Sequence, residues 1–330
     1  MLALFRNNES FTVFLLAAYI AVLRLPALLG WVTPPEGEEV SGGWLYQWLL
    51  GDLDASSSGL AAAATGLVLT QAFLINRLTD KYRMMEEHTW LPGVLYGLAA
   101  SSIPDFLFLS PALVATTFLP VGLWRLFSVY RRPLAFSAIF DTAVWFTLAA
   151  LFYPPATWFI LVGFLGFFAL RSFSVREQLV YAVGVLVILI IAQAALFWYD
   201  LLGDFWAIQT AHLFAWPQFS LPQDLRLRLS VGMVGLLLII VTLGFNLYYH
   251  KRVIQVKKYI DLLYWFLLAG TLSAFFRPGS TLDGFLLCMP SAGIFLSYLF
   301  QASRNNPLIE LFHLALFAAA LVVQLSGRFF

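Results

Sequence analysis

LPGVLYGLAASSIPDFLFLSPALVATTFLPVGLWRLF, residues 91–127, is the stretch that decides the fold. From Leu91 to Trp124 it is too long for one comfortable membrane helix and too short for two full ones, since about 20 residues span a hydrocarbon core. Ala99-Ala100-Ser101-Ser102-Ile103-Pro104-Asp105 interrupts it near the middle. Proline removes a backbone donor and disfavours helix in the residue before it. The stretch therefore predicts a short helical hairpin, with segments near 91–103 and 106–127 and its turn at Pro104.

The flanking sequence is built from further apolar runs, each about as long as a bilayer is thick. Polar punctuation places them near 11–30, 59–76, 134–152, 155–170, 178–197, 229–249, 259–276, 282–301 and 307–326. The chain is 61% hydrophobic and 11% charged, against about 25% charged in soluble domains. A water-soluble protein of this length would have nowhere to hide that much apolar surface. The expected fold class is all-α: a polytopic transmembrane helical bundle of about eleven segments, forming a single integral membrane domain over residues 1–330. The first segment is flanked by Arg6, shows no small-x-small cleavage site, and reads as a retained helix. A net charge of +1 gives no bulk pull toward nucleic acid. A single cysteine, Cys288, excludes an internal disulfide and a cysteine-based metal cluster.

Basic residues orient the chain. With the N-terminus inside, Arg6, Arg77, Lys81, Arg83, Arg125, Arg131, Arg132, Arg171, Arg176, Lys251, Arg252, Lys257, Lys258 and Arg304 fall on the cytoplasmic side, fourteen of the 19. Reading 91–124 as one span would split Arg77–Arg83 from Arg131–Arg132 and destroy the bias. Ten acids fall on the other side, a bias the topology does not explain because acids contribute little to orientation.

Two outer loops are long enough to hold structure. The first, 31–58, carries Glu36-Gly37-Glu38-Glu39 and then Trp44-Leu45-Tyr46-Gln47-Trp48, which suits a short helix lying at the interface. The second, 198–228, with Tyr199, Trp206, His212 and Trp216, also reads as an interfacial helix followed by an irregular return. No internal repeat is evident, which counts against an inverted-repeat transporter.

Candidate chemistry concentrates on the outer side. Asp105 follows a proline at the tip of a hairpin too short to cross fully, so its carboxylate is expected in a cleft at membrane depth, where an ionisable group is costly to keep. The competing reading is a helix N-cap for the segment beginning at Phe106. Glu36, Glu38 and Glu39 offer a general base or metal ligands, or simply a solvated loop. Arg277, Arg226 and Arg228 stand on the outer side against the positive-inside trend; a guanidinium there suits a phosphate, or snorkels to headgroups. His212 lies among aromatics, where an interfacial role competes with substrate binding. Arg24 lies within a helix and is expected to pair with an outer acid; Asp141 is expected either to pair with Arg131 or Arg132 or simply to lie near the headgroups. No Walker loop, His-Glu-x-x-His, hydrolase elbow or cysteine pair is present.

Ser101-Ser102-Ile103-Pro104-Asp105-Phe106-Leu107 leading to Leu123-Trp124-Arg125-Leu126-Phe127 resembles the early hairpin of GT-C glycosyltransferases. The order over residues 10–200 is similar too: a span, an acidic outer loop, a span with a basic end, then the hairpin. The resemblance implies transfer of a sugar from a polyprenyl-phosphate donor at the outer face of the bacterial inner membrane. Glu38 or its neighbours Glu36 and Glu39 would then act as base, Asp105 would hold a divalent cation (Mg or Mn) or the acceptor, and Arg277 would hold the donor phosphate. The family's usual Asp-Glu or Glu-Asp pair in the first loop is replaced here by Glu36-Gly37-Glu38-Glu39. The whole chain, through Leu45–Leu50 and Asn76–Leu78, also resembles a family of Bacteroidota inner-membrane proteins that implies no activity. The alternatives are a non-catalytic membrane subunit or scaffold for envelope assembly, with a membrane-protein partner, and a lipid or solute transporter. Membrane lipids are expected partners in every case.

Overall fold

The computed structural model describes residues 5, 10–33, 42–51, 58–171, 174–210, 225–249, 252–275, 281–302 and 307–329. Their regular structure is helical throughout: α1 (Ser10–Leu28), α2 (Trp44–Leu50), α3 (Ser58–Lys81), α4 (Leu91–Ala99), α5 (Pro111–Phe127), α6 (Phe136–Phe152), α7 (Thr157–Leu170), α8 (Val175–Trp198), α9 (Leu202–Thr210), α10 (Leu225–Leu243), α11 (Phe245–Tyr248), α12 (Ile254–Phe275), α13 (Met289–Ala302) and α14 (Pro307–Phe329). Single turns of 3-10 helix occupy Pro104–Phe106 and Pro154–Ala156, and a longer one, Asp283–Cys288, leads into α13. Each expected apolar segment overlaps a helix, but 106–127 is α-helical only from Pro111 and 229–249 is divided between α10 and α11. Among the described residues six stretches are long and apolar enough to cross a membrane: those of α1, α3, α8, α10 and α14, and Asp283–Ala302. α12 has the length as well, but Lys257, Lys258 and Asp261 charge its first turns.

Polar contacts sort the helix termini into two groups. At one end, which we call the hairpin end, Arg24 late in α1 reaches Thr65 early in α3 and the turn between α4 and α5. Gln324 late in α14 donates to Ser101 O in the same turn. Ser273 late in α12 donates to Pro155 O (2.8 Å) between α6 and α7, and Arg226 at the start of α10 reaches Thr33 O (3.4 Å) just beyond α1. At the other end, the basic end, Tyr82 donates to Trp124 O (2.6 Å), Tyr259 to Phe127 O (3.2 Å) and Arg171 to Arg132 O (2.6 Å). Arg252 pairs with Glu86 (3.4 Å). The chain is tied in from its start: Phe5 O accepts from Trp90 N (2.9 Å) and Thr89 Oγ1 (3.1 Å). Asp141 pairs with Arg125 (3.2 Å) rather than with the expected Arg131 or Arg132. It sits in the second turn of α6, which lies along α5 and so meets the arginine of the α5 terminus.

The short helix α4 forms the centre. All nine of its residues are buried, and 78% of the Asp283–Ala302 stretch is buried beside it. Their contact is set by Gly293, where a Cβ would come within 2.6 Å of the Tyr96 Cα. Small residues let helix backbones touch, which is how apolar helices gain packing where water gives no hydrophobic drive. Gln71 of α3 ties its helix to α4 and α5 at this depth. Its amide donates to Leu113 O (2.8 Å) and Thr117 Oγ1 (2.7 Å) and accepts from the Tyr96 hydroxyl.

The outer helices are inverted in polarity relative to a soluble protein. Only 17% of α8 is buried, and Leu179, Val183, Leu186, Ile190, Ile191 and Phe197 are exposed along it. α10 and α14 expose similar rows. A soluble monomer does not carry apolar faces of this extent; lipid is the solvent that suits them.

α2 and α9 are the two expected loop helices, and they lie against each other on the end of α6. Gly43 N donates to Phe152 O (2.8 Å), Trp44 N to Gln209 Oε1 (3.3 Å) and Gln209 Nε2 to Ala150 O (3.2 Å). Leu151, Leu196 and Phe205 form a small core beneath them.

Candidate functional site

The hairpin between α4 and α5 carries the candidate site. Helix α4 ends at Ala99, after nine residues, and α5 starts at Pro111. The backbone between them is buried and largely non-helical. Such backbone is tolerated at membrane depth only where protein or trapped water satisfies its polar groups. The helix end also leaves carbonyls without intrahelical partners. Local bonds meet some of this demand: Ser102 Oγ donates to Ala99 O (2.8 Å), Phe106 N to Ile103 O (3.2 Å) and Leu107 N to Pro104 O (3.0 Å).

Arg24 meets much of the rest. Its side chain is 0% exposed. NH1 donates to Ala100 O (3.3 Å), Phe106 O (3.1 Å) and, at the limit, Ser101 Oγ (3.5 Å); NH2 donates to Leu107 O (2.6 Å); Nε donates to Thr65 Oγ1 (3.2 Å). Thr65 can accept because its own proton goes to Ala61 O (2.8 Å). The expected pairing of Arg24 with an acid is therefore replaced by carbonyls. The physical reason is the negative end of the α4 dipole together with the orphan carbonyls of the turn, for which a forked five-donor cation is well shaped. The Gln324 amide completes the clamp from α14 at Ser101 O.

Asp105 stands in the turn Pro104–Phe106, half-buried. Its Oδ2 accepts from Leu282 N at 2.9 Å, so the hairpin tip is fastened to the segment that opens the long 3-10 helix before α13. Asp283 follows, buried, with Thr281 Oγ1 at 3.2 Å from its Oδ1. Two carboxylates far apart in the sequence thus share one locality. Asp105 does not cap α5. Ser110 does, accepting from Leu113 N at 3.1 Å, because Phe106 begins a 3-10 turn rather than the helix. The tip is buttressed from α2, where Tyr46 points its hydroxyl at Leu109 O (3.5 Å). Burial pushes that phenol up to about 12.

The other expected site residues are distributed as follows. Glu36, Glu38, Glu39, His212 and Arg277 lie outside the described residues. Arg226 is half-buried at the hairpin end against Thr33 O, and Arg228 is exposed one half-turn later. Among the described residues no three His, Cys, Asp or Glu side chains come together to hold a metal ion; this locality supplies the carboxylates of Asp105 and Asp283. Arg24, Gln324 and Asp283 were not singled out for this site from sequence. An arginine late in a first apolar segment, against the positive-inside trend, was the signal available for the first of them.

Comparison with protein-family models, with curated proteins and with solved structures finds no match.

Proposed function

We propose that the chain is a multi-pass protein of the bacterial inner membrane, with eleven segments and its N-terminus inside, and that its hairpin end is the outer face. There it transfers a sugar from a polyprenyl-phosphate donor. The observation that carries this reading is the investment in the hairpin tip. A desolvated arginine, costly to bury, is used to hold an irregular turn that offers Asp105 beside Asp283. Catalytic groups need that kind of rigid support.

In the reaction, a first-loop glutamate, Glu38 by sequence position, takes the proton of the acceptor hydroxyl. The acceptor oxygen attacks the anomeric carbon while the bond from that carbon to the donor phosphate oxygen breaks. Polyprenyl phosphate leaves, its charge met by Arg277, with Arg226 and Arg228 at the same face. Asp105 orients the acceptor. A divalent cation, as the resemblance implies, would be held by Asp105, and no step of this scheme is routed through it.

The Asp105–Leu282 bond favours a second reading, a non-catalytic membrane subunit for envelope assembly in which Asp105 is a clasp. The two readings separate on paired variants in the native host. Asparagine at 105 can still accept from Leu282 N but carries no charge, whereas alanine can do neither. The transferase reading expects Asp105→Asn and Glu38→Gln each to abolish complementation and to change the lipid-linked sugar profile. Full complementation by both, with loss only for Asp105→Ala, would leave the clasp and remove the enzyme.

A further inference from the structure

At the basic end a cavity of about 620 Å³ opens between the ends of α5 and α7 and the starts of α8 and α12, lined by Tyr130, Arg131, Arg171, Ser174, Glu177 and Lys258, with Leu170 and Ile254 on its apolar side. Its cations are not equivalent. Arg171 is committed to the fold, paired with Glu177 (3.1 Å) and donating to Arg132 O (2.6 Å). Glu177 is buried in the first turn of α8 and is neutralised there. Arg131 and Lys258 are left over. Among the described residues neither has a carboxylate within ion-pair distance, and both lie over the Tyr130 ring, at 5.4 and 5.5 Å from its centre. The lining therefore holds two cations in excess, aimed into one concave space and drawn together by a shared aromatic face.

We propose that this cavity binds the phosphate headgroup of an anionic phospholipid in the leaflet at the basic end. A phosphate is the chemistry that two uncompensated cations and a serine hydroxyl suit. Lipid rather than free phosphate is indicated by the other wall. Leu170 and Ile254 line it, Ile254 is 70% exposed, and Val253 beside it at the start of α12 is exposed too. A headgroup can rest on the cations while its chains follow these apolar residues. Basic pockets between membrane helices on the cytoplasmic side take headgroups in this way. The proposal rests on the basic end lying at a membrane surface and is independent of the chemistry at the hairpin end.

Native mass spectrometry of the full chain in detergent, titrated with phosphatidylglycerol, phosphatidylcholine or inorganic phosphate, tests it. One tightly retained phosphatidylglycerol is expected. Arg131→Gln and Lys258→Gln should each weaken its binding about fivefold, the worth of one cation near an anionic lipid. Arg77→Gln removes an exposed cation of the same end that does not line the cavity, and should leave binding unchanged. Equal affinity in the two cavity variants and the wild type would overturn the site. So would equal loss in Arg77→Gln, which would mean diffuse attraction, or equal retention of phosphatidylcholine. Displacement of the lipid by millimolar inorganic phosphate would overturn the lipid assignment in favour of the free anion.

Discussion

Replacing Arg24 by methionine removes every donor of the guanidinium while keeping an unbranched apolar stem in its place. Three main-chain carbonyls, Ala100 O, Phe106 O and Leu107 O, then lose a donor at 3.3, 3.1 and 2.6 Å inside a buried turn. A buried acceptor left unpaired costs about 1–3 kcal/mol, which sums to roughly 3–9 kcal/mol for three. Two effects reduce this. The desolvation of a charge disappears, and hydrogen bonds between membrane helices are measured at about 0.6 kcal/mol on average because the unfolded chain finds other partners. Weighing these, a loss of about 2–5 kcal/mol is expected, a large part of the stability of an ordinary domain. Reversible unfolding of the purified protein in mixed detergent micelles measures it. Hydrogen exchange localises it, with faster exchange expected for the amides of Phe106 and Leu107. Arg24→Lys retains the charge but has one nitrogen to serve carbonyls that lie on different sides of the fork, and should fall between. If methionine is within about 0.5 kcal/mol of wild type, or lysine is as stable as arginine, hydrogen bonding by the fork is not what holds the turn.

Four further outcomes follow from the packing and the charges. Gly293→Ala places a methyl 2.6 Å from the Tyr96 Cα; the two central helices must separate, at a cost of about 1–3 kcal/mol in the same unfolding assay. Asp105→Ala loses the bond to Leu282 N and should lower stability by about 1–3 kcal/mol, whereas Asp105→Asn should stay within about 1 kcal/mol of wild type. Tyr259→Phe deletes the hydroxyl that donates to Phe127 O and accepts from Gln255 at 2.8 Å, and should cost about 1 kcal/mol. Because Cys288 is buried and is the sole cysteine, single-cysteine labelling reads orientation directly. On intact spheroplasts, Trp31→Cys should react with an impermeant maleimide and Glu87→Cys only after permeabilisation; the reverse pattern would turn the protein over.

How much of this was legible in the sequence depended on whether the signal was local. Helix positions were, because an apolar run and its punctuation are contiguous: the turn at Pro104, the helix at Trp44–Leu50 and the one near Trp206 all lie where the residues placed them. The partners of polar groups were not, because each depends on which helix lies alongside. Asp141 pairs with Arg125 rather than its nearer candidates, and Asp105 finds Leu282 N, far along the chain, rather than the start of α5. Arg24 is the instructive case. Its position in an apolar segment announces a need for a partner, and carboxylates are the habitual guess. The structure answers with carbonyls, because a helix cut short inside a bundle presents concentrated negative partial charge with no acid involved. The same short helix explains why the hairpin exists. α4 is sheathed on all sides by other helices, so it need not reach the far surface to satisfy lipid. It can stop at the depth where Arg24 and Gln324 meet its last carbonyls and where Asp105 is fastened to the segment leading into α13. A full-length α4 would carry that turn out into water, where its carbonyls would need no arginine and its aspartate would be one more solvated charge. The shortness of the helix, the buried cation and the placement of Asp105 are thus one arrangement, and removal of Arg24 should disturb all three together.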